Sequence, residues 1–418
     1  RYKIAMIDTH SQHQVILTGN GLTAQIMALC LYHAGCNILW LAGKPIAGQE
    51  KTAPDNRTTT IHQAGMKMLD ALGITPLLAS PAWPINRILV SDRPADDRIS
   101  GQKKDVYKTD WPMDWHHDQP MAHVVLNHDL QQACNILIDR YQIHPKQVNI
   151  TTINKTGRRL VIDSDGTEYP FDLLVICAGG RTELIGQAGF RKISQKAGQT
   201  ALVGMLASST PTEHTAYQRF LAEGPLALMA MDDRHFSLVW TVSDQSADRL
   251  MALDLPELDS ELNRQFGEQA GQLRFCAPPL RWPLSPHYVR KIAKDGIVLA
   301  GDSAHGLHPL AGMGLNLGLA DAACLLDCLM QARKRGLTPA HISICDRYQA
   351  QRQAEIFALS ATTQLLNRWF SRPEGLVRMV GGVGMSLVGR SVIMGQLKQL
   401  AMGGRLSRPQ LFSGKLPQ

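Results

Sequence analysis

The sequence has no CxxC pair among its eight cysteines, which stand at 30, 36, 134, 177, 276, 324, 328 and 345. Most of them lie in apolar runs. This reads as buried thiols in a reducing compartment rather than a disulfide framework. Cys324 and Cys328 are four residues apart, but no His or Cys pair elsewhere completes a zinc set, so no metal is expected. No apolar run reaches the roughly 20 residues that a membrane span needs. No secretory leader is visible, although the first residue is Arg1 rather than Met, which leaves the natural start open. No cluster of Lys and Arg with interleaved aromatics appears, so nucleic acid is not an expected partner. Charged residues are only 19% and hydrophobic residues 44%, an ordinary globular balance. A cytoplasmic location is expected.

What is present is size and a mild excess of positive charge. The 418 residues exceed one usual core, so two domains or one elaborated domain is expected. The net charge of +7 favours an anionic partner or surface.

The chain opens on a strand–helix–strand pattern. Val15–Thr18 reads as a strand, 23–33 as a helix and 37–41 as a second strand, the length of a dinucleotide-binding unit. Between the first strand and the helix stands Gly19-x-Gly21-x-x-Ala24. The first Gly allows a tight turn. The second lets a pyrophosphate approach backbone N–H groups at the helix N-terminus, and the third position needs a small residue for helix–strand packing. The acid that normally follows about 20 residues on, to hold a ribose hydroxyl, is missing, and Ala42 stands in its place.

Further along, helices are expected at 61–72, 129–141, 211–221, 255–270, 341–370 and 374–402. A hairpin is expected within 148–170, and "DLLVICAG" reads as a buried parallel strand. "TALVGMLAS", "PLALMAMDD" and "HFSLVWTVSD" read as strands of one sheet. The densest signal lies in "GIVLAGDSAHGLHPLAGMGLNLGLADA", Gly296 to Ala322. An apolar strand, 297–300, delivers Asp302, an acceptor for a ribityl or ribose hydroxyl. A glycine-rich segment then runs into an apolar helix from about Leu317, offering successive N–H groups to an anion or a polarised ring edge.

The run Gly301-Asp302 … Pro309-x-x-Gly312-x-Gly314-x-Asn316 resembles the second flavin-contact motif of the aromatic-ring flavoprotein monooxygenases, and more narrowly their ubiquinone-biosynthesis branch. The glycines at 19 and 21, "DNRTTTIHQAGMKMLDALG" with Arg57, "DLLVICAGG", "GPLALMAMDDRHFSLVW" and "WFSRPEGLVRMVGG" agree in order. The resemblance implies an α/β fold with a Rossmann-like FAD-binding domain, an interleaved α+β substrate domain and a helical C-terminus. The FAD-binding parts would be 1–75, 121–185 and 288–335. The substrate-domain parts would be 76–120 and 186–287, and the helical region 336–418.

It also implies the chemistry. NAD(P)H or another donor would reduce FAD, O2 would give a flavin C4a-hydroperoxide, and the aromatic ring of a polyprenylated ubiquinone precursor would be hydroxylated. By motif match, Gly19, Gly21 and Ala24 would take the FAD pyrophosphate, with Arg57 near the flavin. Asp302 would hold the ribityl chain, and Gly312, Met313, Gly314, Leu315 and Asn316 would present backbone to the isoalloxazine. Pro309 would border the reacting edge. For His305 and His308 two readings stand, loop packing and proton handling. Ala42, and Gly179 in place of an Asp, depart from the family pattern. They keep a second reading open, a degenerate scaffold member of a quinone-synthesis assembly. Expected partners are the polyprenylated phenol, O2, a ubiquinone-biosynthesis protein complex and a membrane surface on the inner membrane. The surface is expected because six cationic residues and no acid follow Glu374, among long apolar stretches.

Overall fold

The segment "QVILT" forms the strand Gln14–Thr18, with Val15, Ile16 and Leu17 shut off from solvent on both faces. That continuous apolar run is the signature of a central strand in a covered parallel sheet. The sheet has six strands. In spatial order they are Ala293–Lys294, Ile297–Leu299, Leu173–Ile176, Gln14–Thr18, Asn37–Ala42 and Lys146–Gln147. All pairings are parallel except the first, at the edge. A computed structural model describes residues 14–43, 57–91, 113–116, 119–155, 157–180, 182–194, 198–306, 313–370 and 409–417.

The helices follow as α1 (Leu22–His33), α2 (Gln63–Ala71), α3 (Asn127–Tyr141), α4 (Leu184–Gln187), α5 (Asp244–Met251), α6 (Leu255–Phe266), α7 (Met313–Lys334) and α8 (Ile342–Phe370). Every residue of α1 from Ala24 to Leu31 is buried, because α3 and α7 pack on it from different sides. A helix apolar all round is stable only when enclosed in this way. α7 is also long and apolar enough to cross a membrane, with a mean hydropathy of 1.2, contrary to the expectation that no run would qualify. It is a core helix instead, since 78% of that window is buried within the fold, against α1 and α8 among others.

A second, larger sheet carries its own core. Its strands include Gln199–Ser208, Thr215–Phe220, Pro225–Ala230 and His235–Ser243. Phe236, Leu238, Trp240, Leu262 and Phe266 are among the residues that fill its apolar side, with α5 and α6 capping it. α6 begins with a capping box, Asp254 accepting from the Glu257 N–H and Glu257 from the Asp254 N–H, which fixes its start.

The three long apolar strands stand where the sequence indicated. The expected helix at 211–221 is corrected: residues Thr215–Phe220 form a strand between Arg87–Ser91 and Pro225–Ala230. In "TAYQRF", Thr215, Tyr217 and Arg219 are buried while Ala216 and Gln218 are half-exposed. That period of two is a strand pattern, and flanking partners on both sides override any helical preference. The expected helix at 374–402 lies outside the described residues. The last described segment, 409–417, returns to the body. Leu411 and Phe412 are buried, and the Phe412 ring stands edge-on to His62.

Candidate functional site

Parallel pairing brings several strand ends to one edge of the six-stranded sheet. Gly19 follows Gln14–Thr18, Gly43 follows Asn37–Ala42, Cys177 follows Leu173–Ile176 and Asp302 follows Ile297–Leu299. The carboxyl edge of an open parallel sheet is where ligands bind. Here it holds a cavity of about 1210 Å³, lined by Gly19, Gly21, Arg57, Asp302, Gly314 and Leu315 among others. Six residues singled out from the sequence, separated by almost 300 positions, therefore meet in one space.

The walls are shaped for a phosphorylated ligand. Gly19 has φ +122°, and a methyl group there would lie 2.1 Å from the Cys177 carbonyl oxygen, so only glycine fits. The Trp40 indole N–H donates to the Gly19 carbonyl at 2.8 Å and holds the turn. Gly21 caps α1 with no side-chain bond and no acid in the first turn. A methyl at Gly21 would meet no atom of the described residues beyond its chain neighbours within 4 Å, so among these residues nothing covers the N-terminal turn of α1. A methyl at Gly314, in the first turn of α7, likewise meets no atom of the described residues within 4 Å, and that turn also carries no acid. Two positive helix ends thus flank the cavity. The Thr18 hydroxyl, buried and without a partner among the described residues, sits in the same wall.

Asp302 is exposed on the cavity, and its backbone carbonyl accepts from His287 Nε2 at 2.7 Å. His287 Nδ1 reaches the Ser285 carbonyl at 3.0 Å. The ring is wedged between Gly180 and Gly306: a methyl on either would fall 2.0 Å or 2.3 Å from its Cε1. His287 thereby ties together the two segments that frame the cavity, Gly179–Gly180 and Gly301–Gly306.

Other expected residues stand elsewhere. Ala24 is fully buried and its N–H is bonded to the Gly21 carbonyl at 2.8 Å, so it packs the helix on the sheet and does not line the cavity. Asn316 is buried too. It accepts from the His62 N–H at 3.2 Å and donates to the Thr60 carbonyl at 2.7 Å, pinning α7 to the strand Thr58–His62. Met313 is the first residue of α7. His308, Pro309 and Gly312 lie outside the described residues. Ala42 is fully buried between the lining residues Leu41 and Gly43. Beside it, the Asn20 amide donates to the Gly43 carbonyl at 2.6 Å, and Asn149 also lines the cavity.

His305 is buried and outside the cavity lining. Its Nε2 meets Asp321 Oδ2 at 2.7 Å, and Asp321 Oδ1 accepts from Arg352 Nε at 2.6 Å. Asp321 Oδ2 also accepts the Gly301 N–H at 2.8 Å, fixing the turn that carries Asp302. Burial pushes the Asp321 carboxyl up, but the facing His305 and Arg352 outweigh it and hold it at about 2. Arg352 is completed by Glu355.

The sequence reading passed over Trp40, His287 and the Asp321–Arg352 pair. It also passed over the polar wall formed by Asn127, Gln131, Asn149 and Thr151. Asn127 and Gln131 are four apart on α3, a spacing that marks one polar helix face; the rest carry no local signal.

A fold and cavity of this kind define a dinucleotide-binding α/β flavoprotein. A model of the FAD binding domain family matches residues 12–362, and the chain belongs to that family, the FAD-dependent aromatic-ring monooxygenases. FAD is its cofactor. The chain is 29% identical to ubiquinone hydroxylase UbiL of Rhodospirillum rubrum over 399 residues, covering 93% of this chain and 88% of that protein. It is 25% identical to the 3-demethoxyubiquinol 3-hydroxylase of Escherichia coli, covering 94% of this chain and all of that one (100%). Among solved structures, Klebsiella pneumoniae HpxO complexed with FAD and uric acid aligns with a TM-score of 0.68 at 16% identity. That alignment covers 94% of this chain and 98% of HpxO, a likeness of fold.

Proposed function

We propose that this protein hydroxylates the aromatic ring of a polyprenylated ubiquinone precursor. Its relatives named above act on ubiquinone-type substrates. The observation that carries the reading is the junction of the FAD cavity with an apolar strand. Arg57 lines the cavity, and its guanidinium lies 5.3 Å from the centre of the Trp282 ring. Trp282 and Leu280, two residues apart on the strand Leu280–Pro283, are 54% and 58% exposed, unusually open for large apolar side chains. They offer a prenylated ring an apolar seat beside the flavin.

Bound FAD supplies the oxygen-transfer chemistry, with NAD(P)H or another donor as the reductant. The chain's residues bind and orient. The α1 N–H groups at Gly21 take the pyrophosphate and Asp302 accepts a ribityl hydroxyl. The first turn of α7, at Gly314 and Leu315, faces the ring system. Arg57 sets positive charge between flavin and substrate. The proposed division is 1–75, 121–185 and 288–335 for FAD, 76–120 and 186–287 for substrate, with 336–418 as a helical region. The second core, built on Ile85, Leu89 and residues from Leu202 to Phe275, supports the substrate part, while Ala188 and Phe190 pack in the first core and Val124 in the second.

The test is reconstitution with FAD, NADPH and a short-chain 2-prenylphenol, reading the product by mass. A product heavier by one oxygen is expected. The Trp282→Ala variant should keep its FAD but raise KM for the prenylated phenol about tenfold, the loss of roughly 1.4 kcal/mol of apolar contact. Equal turnover of phenol with and without the prenyl chain would refute the substrate assignment.

A further inference from the structure

A second concavity, of about 700 Å³, is bordered by Ile193 and by residues that flank the strand pair carrying His287. Arg191, Arg290, Lys291 and Lys294 line it, and among the described residues no acidic one does. Lys155 reaches its rim, since a methyl group on Gly189 would lie 2.5 Å from the Lys155 Nζ. Five cations therefore surround one depression. Among the described residues, Arg191, Arg290 and Lys291 make no ion pair, and all three side chains are exposed.

The pocket is built rather than incidental. Lys294 is fixed: its Nζ donates to the Gly189 carbonyl at 2.7 Å and sits 5.2 Å above the buried Phe190 ring. Gln349 is fixed as well, its Oε1 accepting the N–H groups of Ile292 and Ala293 at 2.7 and 3.0 Å and its Nε2 donating to Gln353. Like charges gathered in a concavity repel one another and lower each other's stability, unless a counter-charge is bound there. A volume of this size suits a small molecule better than a flat surface contact does.

We infer that this concavity binds a ligand carrying two or more phosphate groups. It is separate from the FAD cavity, with which it shares no lining residue among those described. The two are nevertheless joined by one strand pair. His287, at one end, touches the Asp302 carbonyl, while Arg290 and Lys291 follow directly from the other end of the same strand, His287–Val289. Lys192, on the partner strand, donates to the Gly180 carbonyl at 2.8 Å.

The experiment uses FAD-saturated protein, so that the larger cavity is filled. Inorganic pyrophosphate and ADP are titrated calorimetrically at low and at moderate salt. Both should bind, with affinity falling as salt rises. The double variant Arg290→Glu, Lys291→Glu should bind at least tenfold more weakly with flavin content unchanged and a melting temperature no lower than that of the wild type; the neutral Lys291→Gln variant should show a smaller loss. No binding by the FAD-loaded protein, or equal binding by the double variant, overturns the inference. A third arm offers vesicles of phosphatidylglycerol. Vesicle binding lost in the double variant, but not competed by pyrophosphate and unaccompanied by soluble-ligand binding, would make this a membrane patch and also overturn it.

Discussion

Gly19 and Gly21 differ in what a methyl group would do. At Gly19 it would collide with the Cys177 backbone in a left-handed turn, so the change would damage the fold itself. At Gly21 it would touch no atom of the described residues beyond its chain neighbours and fill the space where a pyrophosphate would lie. Gly21→Ala is therefore expected to leave the melting temperature of the apoprotein unchanged and to lower FAD affinity tenfold or more, read by flavin fluorescence titration. Unchanged affinity would remove the pyrophosphate from the α1 terminus. His287→Ala acts differently. It empties the space between Gly180 and Gly306 and frees the Asp302 carbonyl. The cost of one such hydrogen bond is about 1 kcal/mol, so FAD should bind about five- to tenfold more weakly. The same Kd as the unaltered protein would mean that His287 does not position Asp302. The glycine loop was legible in the sequence because its residues act within a few positions of one another. His287 was not, since its partners at 180 and 302 come together only through the sheet.

Helices α7 and α8 are joined by charge at their centre. Asp321 on α7 bonds to Arg352 on α8, to His305 and to the Gly301 N–H. Members 16 and 31 residues apart leave no periodic trace, which is why both helices were legible as apolar or amphipathic runs while their shared ion pair was not. Removing one member of a buried pair strands the other, at about 3–5 kcal/mol. Asp321→Asn is expected to lower stability by that order in urea unfolding. The pH dependence follows from the depressed carboxyl. Asp321 titrates at about 2 in the folded protein against an ordinary 3.8, so between those values the unfolded chain binds more protons. Its contribution, about 2 kcal/mol, is present above pH 4 and is lost as pH falls through 2. Wild type should lose stability over that window and Asp321→Asn should lose less. Parallel acid profiles of the two would show that the network does not set this response. The misread segment 211–221 teaches the same lesson at element scale. Thr215–Phe220 became a strand because partners lie on both sides of it, a fact that no local composition contains.

At the scale of the whole molecule, charge is uneven along the chain. After Glu374 stand Arg378, Arg390, Lys398, Arg405, Arg408 and Lys415, six positive side chains with no acid, against a net charge of +7. Most of this stretch, 375–408, lies outside the described residues. Cationic residues set among Leu, Val, Ile and Met suit the surface of an anionic bilayer, where a polyprenylated substrate resides. Removing everything after Glu374 is not a clean test. It would also delete Leu411 and Phe412, which are buried in the core, and the Gln410 N–H bond to Asp327 at 3.1 Å. A loss of vesicle binding in that truncation could then come from unfolding alone. The cleaner variant is Arg378→Glu, Arg390→Glu, Lys398→Glu, which keeps the packed end intact. Co-sedimentation with phosphatidylglycerol vesicles is expected for the wild type and should weaken as salt rises toward 1 M, where the screening length shrinks to about 3 Å. At roughly 1 kcal/mol per basic residue near the surface, and twice that for a reversal, three reversals should reduce partitioning by more than a hundredfold. Flavin content and melting temperature should not change. If the triple variant sediments as wild type does, the tail is not a membrane-binding element.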